Sequence, residues 1–276
     1  MISYLKEPYN SEEVEKILHP LVKEWFYNKY PLFSKPQLFA PIEIHRRNNI
    51  LISAPTGGTK TLTAFLSILN EIVTRAFHNT LENKVYAVYV SPLKALNNDI
   101  AINLEQPLKE IKELAKSKNI KLPDIRVGLR TGDTTPSQKQ KMLRKTPHII
   151  ITTPESLAIM LTSSKFHELL KNTSFAIVDE IHALADSKRG VHLSLLLERL
   201  ENISPGLTRI GLSATVEPIE EVAKFLVGVN KSCKIAKIDM IKNIDLKVIS
   251  PLQELVSINY NQQHNWNHKK TPRKKQ

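Results

Sequence analysis

The fold is decided by the stretch Ile50-Leu51-Ile52-Ser53-Ala54-Pro55-Thr56-Gly57-Gly58-Thr59-Lys60-Thr61, an apolar run that passes through a glycine turn into an amphipathic segment. A strand that leads through such a turn into a helix is the setting of a phosphate-binding loop. Backbone N–H groups of the loop and the helix N-terminus then face the phosphates, a lysine reaches the β and γ oxygens, and a hydroxyl ligates Mg²⁺. Lys60 and Thr61 stand at those two positions. A plain connection between a strand and a helix is the alternative interpretation.

The second chemical signal is Asp179-Glu180-Ile181-His182, which follows an apolar run that begins at Ser174. An aspartate at the end of a strand beside a phosphate loop is placed to hold the metal, and a neighbouring glutamate orients or deprotonates the attacking water. The alternative is the first turn of a helix, where the helix dipole favours acidic residues. Taken together with the loop, the pair of acids favours the interpretation as a phosphate and metal site.

Short runs rich in Val and Ile alternate with longer amphipathic segments from about Ile50 onward. The alternation predicts an α/β fold, a mostly parallel and doubly wound sheet with helices on both faces and ligands beyond the carboxyl ends of the strands. The predicted strands are 50–53, 85–91, 126–129, 148–152, 174–179 and 209–213. The predicted helices are 61–77, 93–115, 154–162, 191–201 and 217–227.

The two ends of the chain differ from this central part. Residues 1–48 are expected to be a helical segment, with a helix start at Ser11 and breaks at Pro31 and Pro36. Beyond the central part, strand-like pieces recur at 234–238 and 246–250. The last segment, 259–276, is rich in Asn, Gln, His and Lys and has too few apolar residues to bury a core, so we expect it to be basic and disordered.

The composition narrows the class of protein. The formal net charge is +12, of which the last eight residues supply five, and the remaining +7 favours a nucleic-acid partner over an ordinary solvated surface. Cys233 is the only cysteine, which excludes an internal disulfide and a cysteine-rich zinc site. No apolar run approaches the roughly 20 residues of a membrane span, and the first residues do not resemble an export signal. We therefore expect no membrane partner and a cytoplasmic location.

The order of motifs along the chain resembles superfamily 2 helicases, and the residues around them resemble the large-helicase-related (Lhr) group. The resemblance covers about Pro31 to Pro251. Besides the loop and the Asp179-Glu180-Ile181-His182 motif, it rests on Ser91-Pro92-Leu93-Lys94-Ala95-Leu96, Arg130-Thr131-Gly132-Asp133, Thr152-Thr153-Pro154-Glu155-Ser156, Lys188-Arg189-Gly190-Val191-His192 and Ser213-Ala214-Thr215. It implies a RecA-like P-loop NTPase domain at 49–230, a Q-motif-like region within 1–48, and a linker at 231–258 toward a second RecA-like domain.

The resemblance implies ATP and Mg²⁺ as cofactors and assigns nucleotide roles. Gln37 matches the glutamine that reads adenine, with an ordinary surface amide as the alternative. The implied ATP and phosphate residues are Ala54, Pro55, Thr56, Gly57, Gly58, Thr59, Lys60 and Thr61. Thr61 and Asp179 are implied to bind Mg²⁺, and Glu180 is implied to be the catalytic base. The residues implied to couple nucleotide state to strand binding are His182, Ser213, Ala214 and Thr215. Metal ligation is the weaker alternative for His182, because no second ligand stands at zinc spacing.

The resemblance also implies a groove for single-stranded nucleic acid, DNA more than RNA, with travel from 3′ to 5′. The implied contact residues are Ser91, Pro92, Lys94, Arg130, Gly132, Thr153 and Glu155. Hydroxyl groups, glycines and backbone N–H groups at strand ends suit phosphate, which positions a strand without reading its sequence. Each residue has an alternative role in a cap or turn. Thr153 before Pro154 is also a good helix start.

Two features depart from the family pattern. The family has a glycine immediately before the lysine, whereas this chain has Thr59 there and Gly58 one place earlier. A β-branched residue disfavours positive φ and crowds the approach to the phosphates. Nucleotide affinity should therefore fall if the loop keeps its usual path and survive if Gly58 absorbs the change. The second departure is that motifs of a second RecA-like domain do not follow Pro251.

The sequence thus predicts the ATP-binding motor domain of an ATP-dependent helicase that hydrolyses ATP slowly without a second RecA-like domain. A partner chain that supplies this domain in trans is one of the alternatives that the sequence leaves open. An arginine finger from that domain is worth about 10³ to 10⁵ in rate. The alternative is a non-catalytic module that binds nucleotide or nucleic acid, a remnant of a split helicase. Thr59 favours the alternative, and the acidic pair Asp179-Glu180 favours descent from a working enzyme.

Overall fold

The structure is a computed structural model that describes residues 1–55, 59–92 and 100–238. Some of the predicted features lie outside these residues: Thr56, Gly57 and Gly58 of the loop, Lys94 of the nucleic-acid set, the start of the helix at 93–115, the strand at 246–250 and the tail at 259–276.

A single parallel sheet carries the described part of the chain. Its strands run in the order β1-β8-β2-β7-β6-β3-β5-β4, and each neighbouring pair is parallel. The strands are β1 (Ile2–Tyr4), β2 (Ile50–Ser53), β3 (Ala87–Val90), β4 (Val127–Arg130), β5 (Ile149–Thr152), β6 (Phe175–Val178), β7 (Thr208–Ser213) and β8 (Cys233–Lys237). The predicted α/β class with a RecA-like parallel sheet is therefore confirmed.

Helices cover the crossovers between these strands. They are α1 (Ser11–Ile17), α2 (Pro20–Lys29), α3 (Lys35–His45), α4 (Lys60–Phe77), α5 (Gln106–Ser117), α6 (Pro136–Arg144), α7 (Pro154–Thr162), α8 (Ser164–Leu170), α9 (His182–Ala185), α10 (Lys188–Ile203) and α11 (Ile219–Val227). A π-helical turn, Ala101–Glu105, leads into α5. The helix predicted at 93–115 is thus α-helical, within its described part, chiefly from Gln106 on.

The two faces of the sheet bury different residues of the same strand. Ile50 and Ile52 of β2 pack in one cluster with α3 and α4, whereas Leu51 packs in another with α7, α10 and α11. Successive side chains of a strand point to opposite faces, so a strand covered on both faces is apolar throughout. This burial explains why the strands are continuous apolar runs in the sequence.

The N-terminal segment packs against the sheet helices through a third cluster. Val22 and Phe26 of α2 lie there with Leu66 of α4 and Ile111 of α5. The predicted helical start at Ser11 is observed, but the predicted break at Pro36 is wrong. Pro36 stands in the first turn of α3, where its missing N–H has no helical partner to lose.

Three short helices and one strand were not predicted. α6 has no fully buried residue, and only Met142 and Leu143 pack against the core, too few to reveal a helix by apolar periodicity. α8 and α9 span only seven and four residues. β1 has three residues and owes its place to pairing with β8, in which Ile2 is opposite Cys233. The sheet therefore includes residues of both 1–48 and 231–258.

Candidate functional site

The candidate site lies at the carboxyl ends of the central strands. Ser53, the last residue of β2, pairs with Ser213 at the end of β7, and Val178 of β6 pairs with Val90 of β3. Because all the strands are parallel, every loop that follows a strand emerges at this one edge. The loop before α4, Asp179 after β6 and the residues after β7 are thereby brought together.

Lys60 begins α4 and turns its amine back over the loop. The Nζ atom donates to the carbonyl oxygens of Ala54 at 2.7 Å and Pro55 at 3.0 Å, and the residue is buried. Burial lowers the pKa of this amine, and the negative charges of Glu180 and Asp179 act in the opposite direction. The amine therefore lies within electrostatic reach of both acids, as a site for a polyphosphate and its counter-ion requires.

Thr59 contacts the N-terminal segment. Its Oγ1 lies 2.5 Å from the Oγ of Ser34, and its carbonyl oxygen accepts the N–H of Thr63, which closes the first turn of α4. The backbone of Thr59 has φ 12° and ψ 19°. The side chain of Thr59 thus has a polar partner in the N-terminal segment.

Gln37 lies in the first turn of α3 and is 2% exposed, which contradicts its interpretation as an ordinary surface amide. Its Oε1 accepts the N–H of Ser34 at 2.8 Å, one half of a capping box whose other half is the Ser34 side chain. The role of Ser34 was not predicted, although a serine followed three residues later by a glutamine is the signature of such a box. A chain of contacts thus joins Gln37, Ser34 and Thr59.

Asp179 follows β6 and is buried, with both carboxylate oxygens engaged. Oδ1 accepts the N–H of Glu180 at 2.9 Å, and Oδ2 accepts the hydroxyl of Tyr89 on β3. Burial raises the pKa of this carboxyl, opposed chiefly by the Tyr89 hydrogen bond. The role of Tyr89 was not predicted either. The signal for it is a hydroxyl-bearing aromatic residue one position before the end of an otherwise apolar strand.

Glu180 adopts the left-handed conformation, with φ 48°. Such a backbone costs a non-glycine residue roughly 1 kcal/mol or more and concentrates at functional sites. The Oε2 atom of Glu180 lies 3.3 Å from Nε2 of His182, whose Nδ1 accepts the N–H of Ala214 at 3.2 Å. His182 thus bridges the acidic pair to the segment after β7, and no metal-ligating cluster of three or more His, Cys, Asp or Glu residues exists among the described residues.

The segment after β7 also contacts the phosphate loop. The carbonyl of Ser213 accepts the N–H of Ala54 at 3.2 Å, and the Ser53 hydroxyl donates to the carbonyl of Ala214 at 3.2 Å. The Oγ of Ser213 is buried without a hydrogen-bond partner among the described residues, while Thr215 is exposed. Thr61, the second residue of α4, is half-buried. The predicted coupling residues Ser213 and Ala214 therefore touch both the loop and His182.

The predicted nucleic-acid residues are distributed along the same edge. Ser91 is buried and its N–H donates to the carbonyl of Thr152, while Thr153 caps α7 by accepting the N–H of Ser156 at 3.4 Å. Gly132 is exposed, and a side chain there would meet open space. The cap interpretation of Thr153 is observed in the structure, and its contact with a strand stays a prediction.

Arg130 is not presented to solvent. It is 4% exposed, its Nη1 donates to the carbonyl of Thr131 at 2.7 Å, and its guanidinium lies 5.6 Å from the centre of the Phe166 ring. Burial lowers the pKa of this guanidinium. In this conformation Arg130 stabilises the turn that follows β4.

Arg189 connects two of the predicted contact segments. Its Nε donates to Oε1 of Glu155 at 2.7 Å, and its Nη2 donates to the carbonyl of Pro92 at 3.2 Å. Arg189 lies within a family motif but has no predicted role, because nothing in its local sequence points to Glu155, 34 residues earlier. The contact orients the loops that follow β3 and β5 relative to each other.

Comparison with known proteins gives the context of this site. The DEAD/DEAH box helicase family model matches residues 35–224. The chain is 55% identical over 255 residues to the ATP-dependent helicase Lhr-Core of Methanocaldococcus jannaschii, covering 92% of this chain and 30% of the relative. It is 36% identical over 258 residues to the Lhr helicase/uracil glycosylase of Escherichia coli, covering 90% of this chain and 16% of the relative.

Solved structures agree in fold. The Mycobacterium smegmatis helicase Lhr bound to ssDNA and AMP-PNP superposes with a TM-score of 0.72 at 42% identity, covering 79% of this chain and 28% of that chain. The DEAD-box helicase Mss116 bound to ssRNA and UDP-BeF shares the fold, with a TM-score of 0.67 at 19% identity over 85% of this chain and 47% of that chain. The chain thus spans about 30% of the length of the Lhr-Core relative. Within the described residues, every helix is too short or too polar to span a membrane.

Proposed function

Because the chain belongs to the DEAD/DEAH box helicase family, we propose that it is the ATP-binding half of an Lhr-Core type helicase motor that acts on single-stranded nucleic acid, DNA more than RNA. The observation that carries the proposal is the convergence of Lys60 with Asp179 and Glu180 at one sheet edge, where both acids act on the lysine amine. The loop and the acidic pair come from segments more than a hundred residues apart, so their convergence is a property of the fold.

The nucleotide is assigned to this edge by chemistry. Lys60 already satisfies its amine with two carbonyl oxygens of the loop, and phosphate oxygens replace such acceptors without loss. The carboxylate of Asp179 and the hydroxyl of Thr61 would hold the Mg²⁺ that accompanies ATP, because Mg²⁺ takes one or two protein oxygens together with phosphates and water. The ion would supply neutralisation of the phosphate charge. Gln37 reads the adenine, and its buried amide is held for that purpose by Ser34.

Glu180 is the base that orients the attacking water and accepts a proton from it. The backbone of Glu180 is left-handed, and its side chain lies toward His182. His182 and Ala214 then report the state of Glu180 to the segment after β7. Efficient hydrolysis requires a second RecA-like domain that supplies an arginine finger, worth about 10³ to 10⁵ in rate.

We assign the central domain to residues 49–230, and β1 and β8 extend its sheet at one edge. The cytoplasmic location stays a prediction.

Nucleic acid is assigned to the loops after β3, β4 and β5. Ser91, Pro92, Gly132, Thr153 and Glu155 lie along that edge, and the Arg189 contacts join the segment at Pro92 to Glu155 in the first turn of α7. Thr153 offers its hydroxyl at the N-terminus of α7, where the helix dipole attracts phosphate. The similar Lhr helicase of Mycobacterium smegmatis is bound to ssDNA in its solved structure, which supports DNA as the ligand here.

A non-catalytic binding module is the second candidate. The observation in its favour is the Thr59 side chain, which ties the end of the loop to Ser34 where the family pattern has a glycine. A loop held in this way binds nucleotide more weakly if the Thr59–Ser34 contact must break when phosphates enter.

The deciding experiment is a titration of the purified chain with a fluorescent ATP analogue and Mg²⁺, with and without single-stranded DNA. We expect saturable binding that Lys60→Ala abolishes and that Lys16→Ala, a change at an exposed lysine of α1, leaves intact. Absence of binding by the unmodified chain would overturn the nucleotide assignment. Brisk strand separation by the chain alone would overturn the requirement for a second domain.

A further inference from the structure

A groove lies along the outer strand of the sheet, between β4 and α6. β4 is the last strand in the sheet order and pairs only with β5, so its other side is open. The groove has a volume of about 430 Å³, and its lining includes Arg126, Gly128, Leu129, Lys141, Met142 and Lys145. The charged side chains of the lining are Arg126, Lys141 and Lys145 together with one carboxylate, that of Asp124, which pairs with Lys145 at 3.6 Å.

The helix that forms one wall is basic and solvated. Between Asp133 and Glu155 the chain has no acidic residue, and α6 and its C-cap carry Lys139, Lys141, Arg144 and Lys145. The last three lie within about 100° of one another around the helix, and we call them the α6 cations. No residue of α6 is buried. Met142 and Leu143 are partly buried against the core, and most of the other positions of the helix face solvent.

The α6 cations are poorly neutralised. Among the described residues, only Lys145 has a carboxylate partner, Asp124 at 3.6 Å, and that carboxylate also accepts a hydrogen bond from Lys112 at 3.0 Å. Lys139, Lys141 and Arg144 form no ion pair within the described part of the chain. Solvated cations without carboxylate partners keep their full attraction for a polyanion.

The groove continues the edge to which nucleic acid is assigned. α6 begins directly after the turn that contains Gly132, and Thr135 caps it by accepting the N–H of Gln138. A helix of nine residues is about 13 Å long, the rise of roughly four stacked nucleotides. A strand that leaves the turn along the face of α6 that borders the groove therefore passes the α6 cations.

We propose that the α6 cations and the groove beside β4 form an accessory binding site for the phosphate backbone of single-stranded nucleic acid. The site rests on the proposed function, because the strand reaches it from the assigned groove. Contacts of this kind are independent of base sequence and strengthen binding in proportion to the phosphates neutralised. An acidic peptide that pairs with the open edge of β4 would use the same charges, but only nucleic acid is continuous with the turn at Gly132.

The test is the salt dependence of single-stranded DNA binding, measured by fluorescence anisotropy with the full chain. The variant Lys141→Gln, Arg144→Gln, Lys145→Gln should bind more weakly at low salt, and its log–log salt slope should be shallower by about 2, since each lost contact removes roughly 0.7 for a single strand. The matched control is Lys6→Gln, Lys16→Gln, Lys116→Gln, which removes the same charge from exposed lysines elsewhere. Its slope should stay within about 0.5 of the parent.

Three results would overturn the proposal. If the α6 variant keeps the slope of the parent, the strand does not pass α6, although the proposed function stands. If the control loses as much slope, net charge and not this surface drives binding. If the parent chain does not bind single-stranded DNA at all, the proposed function and the accessory site fall together. Fluorescent-ATP binding and the melting temperature should be unchanged in the α6 variant, because the cations are remote from Lys60 and outside the core.

Discussion

The hydroxyl of Tyr89 donates a hydrogen bond to Oδ2 of Asp179, within the buried layer between β3 and β6. The Tyr89 ring stacks on Phe65 of α4, with ring centres 5.0 Å apart. One side chain therefore touches both the helix that follows the phosphate loop and the aspartate proposed to hold Mg²⁺. Tyr89 acts as a positioning residue, since it restrains the rotation of the Asp179 carboxylate.

We expect Tyr89→Phe to raise the Mg²⁺ concentration required for half-maximal nucleotide binding by about fivefold, equivalent to loss of about 1 kcal/mol of hydrogen-bond restraint. Nucleotide affinity without Mg²⁺ should not change. The measurement is a fluorescent-ATP titration at a series of Mg²⁺ concentrations.

Tyr86→Phe is the matched control. Tyr86 is also fully buried, and its hydroxyl accepts the N–H of Glu82 at 2.9 Å, away from Asp179. An equal shift in both variants would show a general effect of removing a buried hydroxyl and would contradict the positioning role.

Thr59→Gly should tighten nucleotide binding by up to roughly tenfold, or about 1.4 kcal/mol. The glycine removes the side chain that bonds Ser34 and lets the backbone approach the phosphates more closely. Thr59→Ser keeps the hydroxyl and should behave like the parent. Unchanged affinity in Thr59→Gly, measured by the same titration, would show that the threonine does not weaken binding.

His182→Ala should leave nucleotide affinity within about twofold and remove most of the effect of bound nucleotide on single-stranded DNA affinity. The reason is that His182 is the contact between Glu180 and Ala214. Coupling between sites is typically 1 to 3 kcal/mol, or about 5- to 150-fold in affinity. The measurement is DNA binding with and without a non-hydrolysable ATP analogue. His192→Ala, at an exposed position of α10, serves as the control, and full coupling in His182→Ala would refute the role.

His148 should make the fold sensitive to acid. Burial, assisted by the charge of Arg126, lowers the pKa of His148 from 6.5 to about 4. Between pH 6.5 and pH 4 the imidazole of His148 is protonated in the unfolded chain but neutral in the folded chain. The free energy of unfolding therefore decreases as the pH falls below 6.5, by about 2 kcal/mol at pH 5.

His148→Gln should therefore show a flatter loss of unfolding free energy between pH 7 and pH 5 than the parent in urea titrations. The variant should also differ from the parent in its free energy of unfolding at neutral pH, because Nδ1 of His148 accepts the N–H of Arg126 at 3.1 Å. The decisive quantity is therefore the slope of the unfolding free energy with pH. His192→Gln should retain the parental slope. A parental slope in His148→Gln would contradict the assignment.

Local patterns predict the central elements closely. The strand at 50–53 and the helix at 154–162 match β2 and α7 to the residue. Three consecutive apolar residues, Ile50 to Ile52, directly before a glycine turn favour a short buried strand, and Thr153 with Pro154 marks a helix start. α6 escaped prediction because only two of its side chains, Met142 and Leu143, pack against the core, and β1 because three residues carry no periodicity.

The amino-acid sequence is sufficient to specify the loop with Lys60, the acidic pair at Asp179 and their place at strand ends, because these features depend on neighbours within a few residues. The pairing of Tyr89 with Asp179 joins residues 90 apart, and that of Ser34 with Thr59 joins residues 25 apart. Such contacts arise from the order of strands in the sheet and from the way α3 packs on α4. Strand order is set by the packing of the whole domain. The contacts of Tyr89 and Ser34 that position the site are therefore decided by the tertiary structure.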